Sequence, residues 1–236
     1  MGKRGQATIF IIISILLVVV VLIVVYFSSS KPQISSSNEY SKVRSYILDN
    51  INDNSEKAII ILGLQGGYTS DPPRYIDYDI IKISYWNLSN KSYPPLELIQ
   101  DQISSFVFSQ LPNCSEVQNL TKSEVVCGNK TVKTKISEDR VEVDVTYLLS
   151  VQGLEAASIS QEYKKEIKIG LKDYYNHALF ILNNSDCFSC LRNRTLYYNI
   201  SIKQIESNEY TINMILSNSS QLNDVKGYVF QFAIKK

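Results

Sequence analysis

With 24 basic and 23 acidic side chains in 236 residues and no basic run, the chain carries no electrostatic footprint for nucleic acid. Its mix of Asn, Ser, Tyr, Ile and Lys is polar yet aromatic, which excludes a disordered tail and suits a half-exposed β surface. Residues 1–7 form a short leader in which Lys3, Arg4 and the free amine make a positive flank. Thr8–Phe27 follows, 20 residues without a charge. As a helix with about 1.5 Å of rise per residue it covers about 30 Å, the hydrocarbon thickness of a bilayer. Thirteen of the 20 are β-branched, which in water argues for a strand; in lipid, a lone segment satisfies its own backbone only as a helix. The stretch predicts a single membrane span, with the N-terminus cytoplasmic and the rest of the chain outside. A cleaved secretion signal fits less well, because its apolar region runs to about 7–15 residues.

Lys3-Arg4-Gly5-Gln6, followed at once by an apolar helix, resembles the class III (prepilin-type) signal of archaeal type IV pilin-like proteins. The resemblance covers about 27 residues and implies cleavage between Gly5 and Gln6 by a prepilin-type membrane peptidase. It also implies that the Thr8–Phe27 helix is retained, first as an anchor and then as the self-associating core of a filament. Many members carry a Glu five residues after the cut, and here that position is Phe10. The remainder, including Gly63-Leu64-Gln65-Gly66-Gly67-Tyr68, resembles membrane-anchored proteins with the same leader, and implies no activity.

Residues 28–38 read as a Ser-rich stalk and residues 39–236 as one extracytoplasmic α+β domain. Tyr40, Val43, Ile47 and Ile51 have helical spacing. A break near Asn52–Asn54 is expected before a second helical run, Ala58–Leu64, which Gly66-Gly67 ends. A phosphate cradle is the alternative for these glycines, but no Lys-Ser/Thr follows. Ile76–Trp86 reads as one strand, with Asp77 and Asp79 on a shared face that a divalent cation could use only with further oxygen ligands. Behind Pro94-Pro95, Leu96, Ile99, Ile103, Phe106, Val107 and Leu111 form the clearest amphipathic helix, stopped by Pro112. Val141, Val143, Val145, Tyr147 and Leu149 alternate with polar residues, the pattern of an antiparallel strand with one buried face. A weaker alternation over Tyr163–Leu171 precedes a helix, Leu171–Leu182. Strands are expected at Thr195–Ile205, Tyr210–Leu216 and Tyr228–Ile234.

Cys114, Cys127, Cys187 and Cys190 allow three pairings, and the local ones, Cys114–Cys127 and Cys187–Cys190, are the simplest for a domain outside the cell. A four-cysteine zinc site wants closer spacing in both halves. Thiol redox at Cys187-Phe188-Ser189-Cys190 wants its first cysteine at a helix N-terminus, whereas here a polar loop precedes it. Asn87, Asn90, Asn113, Asn119, Asn129, Asn183, Asn193, Asn199 and Asn218 each open an Asn-x-Ser/Thr sequon. Eighteen Asn and 38 Ser or Thr predict about three by chance, and nine are present. Asn113, beside Cys114, is the weakest of the nine. His177, the only histidine, is the sole imidazole base, with no nucleophile elbow to serve. Tyr174, Tyr175, Tyr197 and Tyr198 suit either a stacking surface or internal aromatic packing. The expectation is a membrane-anchored surface glycoprotein with a structural or adhesive role, without cofactor or metal, whose partners are the bilayer, the peptidase and its own copies. An anchored thiol-redox enzyme or hydrolase and a ligand-binding module are the alternatives.

Overall fold

Val43, Ile47, Ile51, Ala58 and Leu62 are all buried, and they lie on one stripe of one continuous helix, α1 (Ile34–Leu64). The computed structural model describes residues 16–21, 34–87, 92–151, 158–185, 198–206, 208–216, 224–225 and 227–235. It divides into two compact units, residues 1–41 and 42–236. In the first, residues 16–21 are helical, and their apolar side chains stand 47–62 % exposed. The rest of Thr8–Phe27 lies outside the described residues. Among those described, no helix is long and apolar enough to cross a membrane.

The break expected at Asn52–Asn54 does not occur. Ile51 and Ala58 are seven residues apart, two helical turns, so the two apolar runs are in phase and a single rod buries both. Asn54 and Ser55 fill the buried positions between them, and Asn54 Nδ2 donates to the Asn50 carbonyl at 2.9 Å. The helix also begins at Ile34, inside the expected stalk. It ends as expected. Gly66 has φ +68°, the Gly67 N–H donates to the Leu62 carbonyl at 2.8 Å and the Gly66 N–H to the Gly63 carbonyl at 3.4 Å, which is a Schellman closure.

Ile76–Trp86 is a hairpin rather than one strand, β1 (Tyr75–Tyr78) against β2 (Ile81–Ser84). Asp79 takes φ +59° in its two-residue turn, a backbone region that Asp tolerates better than most residues. Helix α2 (Leu96–Gln110) buries Ile99, Ile103 and Val107 as its stripe requires. A short helix, α3 (Cys114–Gln118), leads into β3 (Val125–Ile136). With β4 (Arg140–Val151) and β5 (Ser158–Lys168), β3 makes an antiparallel sheet in the order β3-β4-β5. Strand β3 escapes the alternation test because Lys130 and Thr134 occupy inward positions.

Helix α4 (Leu171–Asn183) buries Leu171, Tyr174, Tyr175, Ala178, Ile181 and Leu182. The second sheet, β6-β7-β8, is antiparallel and comprises β6 (Tyr198–Glu206), β7 (Glu209–Leu216) and β8 (Val229–Lys235). Phe230 through Ile234 are all buried in β8. Strand β7 pairs with one edge of β8, and the other meets Tyr85 and Trp86, whose N–H donates to the Ala233 carbonyl at 2.7 Å. The described architecture is therefore α+β, with helices packed on antiparallel sheets.

Candidate functional site

Ahead of α3, Pro112 ends the extended link from α2, and Asn113 takes an extended conformation as N-cap. Its Oδ1 accepts from the Glu116 N–H at 2.9 Å, while Glu116 Oε2 accepts from the Asn113 N–H at 3.1 Å. This reciprocal capping box holds the short helix to its first turn. Cys114 on that turn is bonded to Cys127 on β3, with Cα atoms 5.7 Å apart. Gln118 closes the loop between them: its Oε1 accepts from the Val125 N–H at 2.8 Å and its Nε2 donates to the Ser123 carbonyl at 2.9 Å. The expected pairing of Cys114 with Cys127 is therefore present. Cys187 and Cys190 lie outside the described residues.

Below this corner sits Lys130, a residue the sequence pattern did not single out. Its Nζ donates to the Pro112 carbonyl at 2.5 Å and lies 4.6 Å from the Tyr147 ring centre. The Tyr147 hydroxyl donates to the same Pro112 oxygen at 3.0 Å. Burial pushes the Lys130 ammonium below its usual range and raises the Tyr147 hydroxyl above its own. Two donors, a cation–π contact and a cystine thus converge on one turn of chain. Together these contacts brace the turn ahead of α3 against β3 and β4. The entropy model sets its worth: closing this loop restricts the unfolded chain by about 3 kcal/mol. Cys127→Ser is expected to lower stability by that amount in denaturant titration, without shifting the far-UV spectrum of the folded state.

Several sequon asparagines stand on the described surface. Asn113, Asn119 and Asn129 are all exposed, the last in a bulge where the β3–β4 register jumps from Cys127 to Lys130. Asn183 is exposed at the end of α4 and Asn199 is exposed on β6. Asn87 is half-buried beside the hairpin, and Asn90, Asn193 and Asn218 lie outside the described residues.

The other sequence candidates separate. Asp77 is exposed on β1 and Asp79 stands in the turn, so the alternation that would align them on one strand face is interrupted. Among the described residues, no three His, Cys, Asp or Glu side chains group as a metal would need. His177 is half-buried on α4, its Nδ1 2.9 Å from the Asp173 carbonyl one turn back. Tyr174 and Tyr175 are buried, so they pack and do not form a stacking surface. Tyr197 lies outside the described residues, as does the Tyr198 side chain.

One charged group was not legible in the sequence, because its members lie far apart along the chain. Glu209 accepts from Lys235 Nζ at 2.8 Å and from the Tyr85 hydroxyl at 2.6 Å. The ammonium, then the hydroxyl, holds the Glu209 carboxyl below its ordinary range. Burial first and then this carboxylate push the Tyr85 hydroxyl up, which removes it as a base near neutral pH. A depressed carboxyl adds stability above its unfolded pKa and loses it as pH falls through the folded one. Glu209→Gln is expected to lower Tm by about 2–4 °C at neutral pH. The difference from the parent should shrink as melting is repeated from about pH 6 to 3.

Comparison with family models, with curated proteins and with solved structures finds no match to the chain.

Proposed function

We propose that the chain is a single-pass, membrane-anchored surface glycoprotein with a structural or adhesive role, which serves as a pilin-like subunit once it is cut between Gly5 and Gln6. The observation that carries this reading is Thr8–Phe27, an uncharged stretch long enough for a bilayer. Its described part, residues 16–21, is helical with every side chain at least 47 % exposed. An apolar, uncharged stretch of this length suits lipid, or copies of itself, as its surroundings. The cystine between Cys114 and Cys127 supports an oxidising compartment for the domain that follows. The excess of sequons, five of them on exposed asparagines, supports a sugar-coated surface there. The partners of this reading are the bilayer, a prepilin-type peptidase and other copies of the helix; nucleic acid is not among them.

Mass spectrometry of the intact protein from membranes and from sheared surface material tests it. The expected result is a chain beginning at Gln6, with sugar masses and without free thiols at Cys114 and Cys127. A chain in membranes that keeps Gly2-Lys3 would reduce the reading to a plain anchor. A freely soluble cytosolic chain with bare asparagines would overturn it.

A further inference from the structure

We infer that the folded domain accepts N-linked sugar at Asn129 and Asn199 and withholds it from Asn113 and Asn183; this rests on the surface-glycoprotein reading above. In such a transfer the Asn Nδ2 forms a bond to C1 of a sugar held on a lipid phosphate. The C1–O bond to phosphate breaks, the phosphate departs with that electron pair, and a base of the transferase takes one Nδ2 proton. The nitrogen must therefore be reachable, and both of its hydrogens must be released from other acceptors.

The asparagines differ in that respect. Asn113 Nδ2 donates to Glu116 Oε1 at 3.0 Å, and its Oδ1 accepts from the Glu116 N–H at 2.9 Å. The hydroxyl of its own sequon, Ser115 Oγ, is committed to Asn113 Oδ1 at 2.6 Å. Its neighbour Cys114 is tied to Cys127. Asn183 Nδ2 donates to the Leu179 carbonyl at 2.9 Å, in the last turn of α4. To use either nitrogen, an enzyme must first undo a cap or a helix contact. Asn129 stands in the bulge, where the strand departs from the β3–β4 register. Asn129 and Thr131, the hydroxyl of its sequon, are both exposed. Asn199 and Ser201 on β6 are exposed in the same way. At these two sites the amide and hydroxyl face solvent together, as the transferase needs.

Site-resolved glycopeptide mass spectrometry on the full chain from its own cells decides the matter. The expected result is a sugar mass on the Asn129 and Asn199 peptides and none on those of Asn113 and Asn183. Asn129→Gln should remove one sugar mass and leave the circular dichroism unchanged, since the side chain is exposed. Glu116→Ala, which frees the Asn113 amide, should convert Asn113 into an acceptor. Sugar on Asn113 or Asn183 in the parent chain, or bare Asn129 and Asn199 beside occupied sequons elsewhere, overturns the inference. A chain bare at all nine sequons overturns the glycoprotein reading itself.

Discussion

Trp86→Ala is expected to cost about 3–5 kcal/mol. The indole is 1 % exposed. Its ring centre lies 4.9 Å from that of Phe232, 5.8 Å from those of Phe230 and Tyr175, and 5.9 Å from that of Tyr93. It joins the end of the hairpin to β8, to α4 and to the segment entering α2. Its Nε1–H also donates to the Gly66 carbonyl at 3.0 Å, in the turn that ends α1. Alanine removes the packing, leaves that carbonyl without its donor, and opens a void that rigid neighbours cannot fill. Against a typical stability of about 5–15 kcal/mol, the loss should move the denaturation midpoint by about a fifth of its value or more. Far-UV circular dichroism is the measurement, since the substitution removes the only tryptophan fluorescence. A loss below about 1 kcal/mol would mean that the aromatic cluster does not organise the core.

Gly63→Ala should destabilise by about 1–3 kcal/mol, opposite in sign to what helix propensity expects. In an exposed helix interior the change gains about 1 kcal/mol. Here a Cβ would lie 2.4 Å from the Val229 carbonyl oxygen and 2.6 Å from the Tyr228 ring. The carbonyl belongs to β8, where Val229 pairs with Ile215 of β7, and Tyr228 is itself buried. Neither can retreat by the ångström required, so the last turn of α1 must lift off the sheet. Thermal melting of the full chain beside its parent gives the sign directly. A higher Tm in the variant would show that α1 does not press on β8 in solution.

Glycines 63, 66 and 67 mark how far sequence reasoning reached. Gly66-Gly67 reads as a helix stop, and the Schellman hydrogen bonds make it one, because positive φ is a local demand that the residue type announces. Gly63 has no such local signature. It sits in regular helix, and only the approach of a strand 166 residues later along the chain excludes a side chain there. Strand β3 was hidden for the same reason. Lys130 faces inward, which alternation scores as a fault, and the Leu111 and Pro112 carbonyls and the Tyr147 ring make the position tolerable.

The sequence by itself determined the periodic elements. The amphipathic stripe of α2, the alternation of β4 and the packed face of α4 are set by spacing within a few turns of chain, and they appear where the spacing places them. It also marked Thr8–Phe27 as apolar and uncharged. Only the tertiary structure decided that α1 runs unbroken through Asn52–Asn54, since burial on both sides outweighs the weak helix preference of those residues. It alone separated the sequon asparagines whose amides are tied from those left open, and brought Tyr85, Glu209 and Lys235 together. Those outcomes depend on partners distant in sequence or on the exact direction of a side chain, and neither is written in residue order.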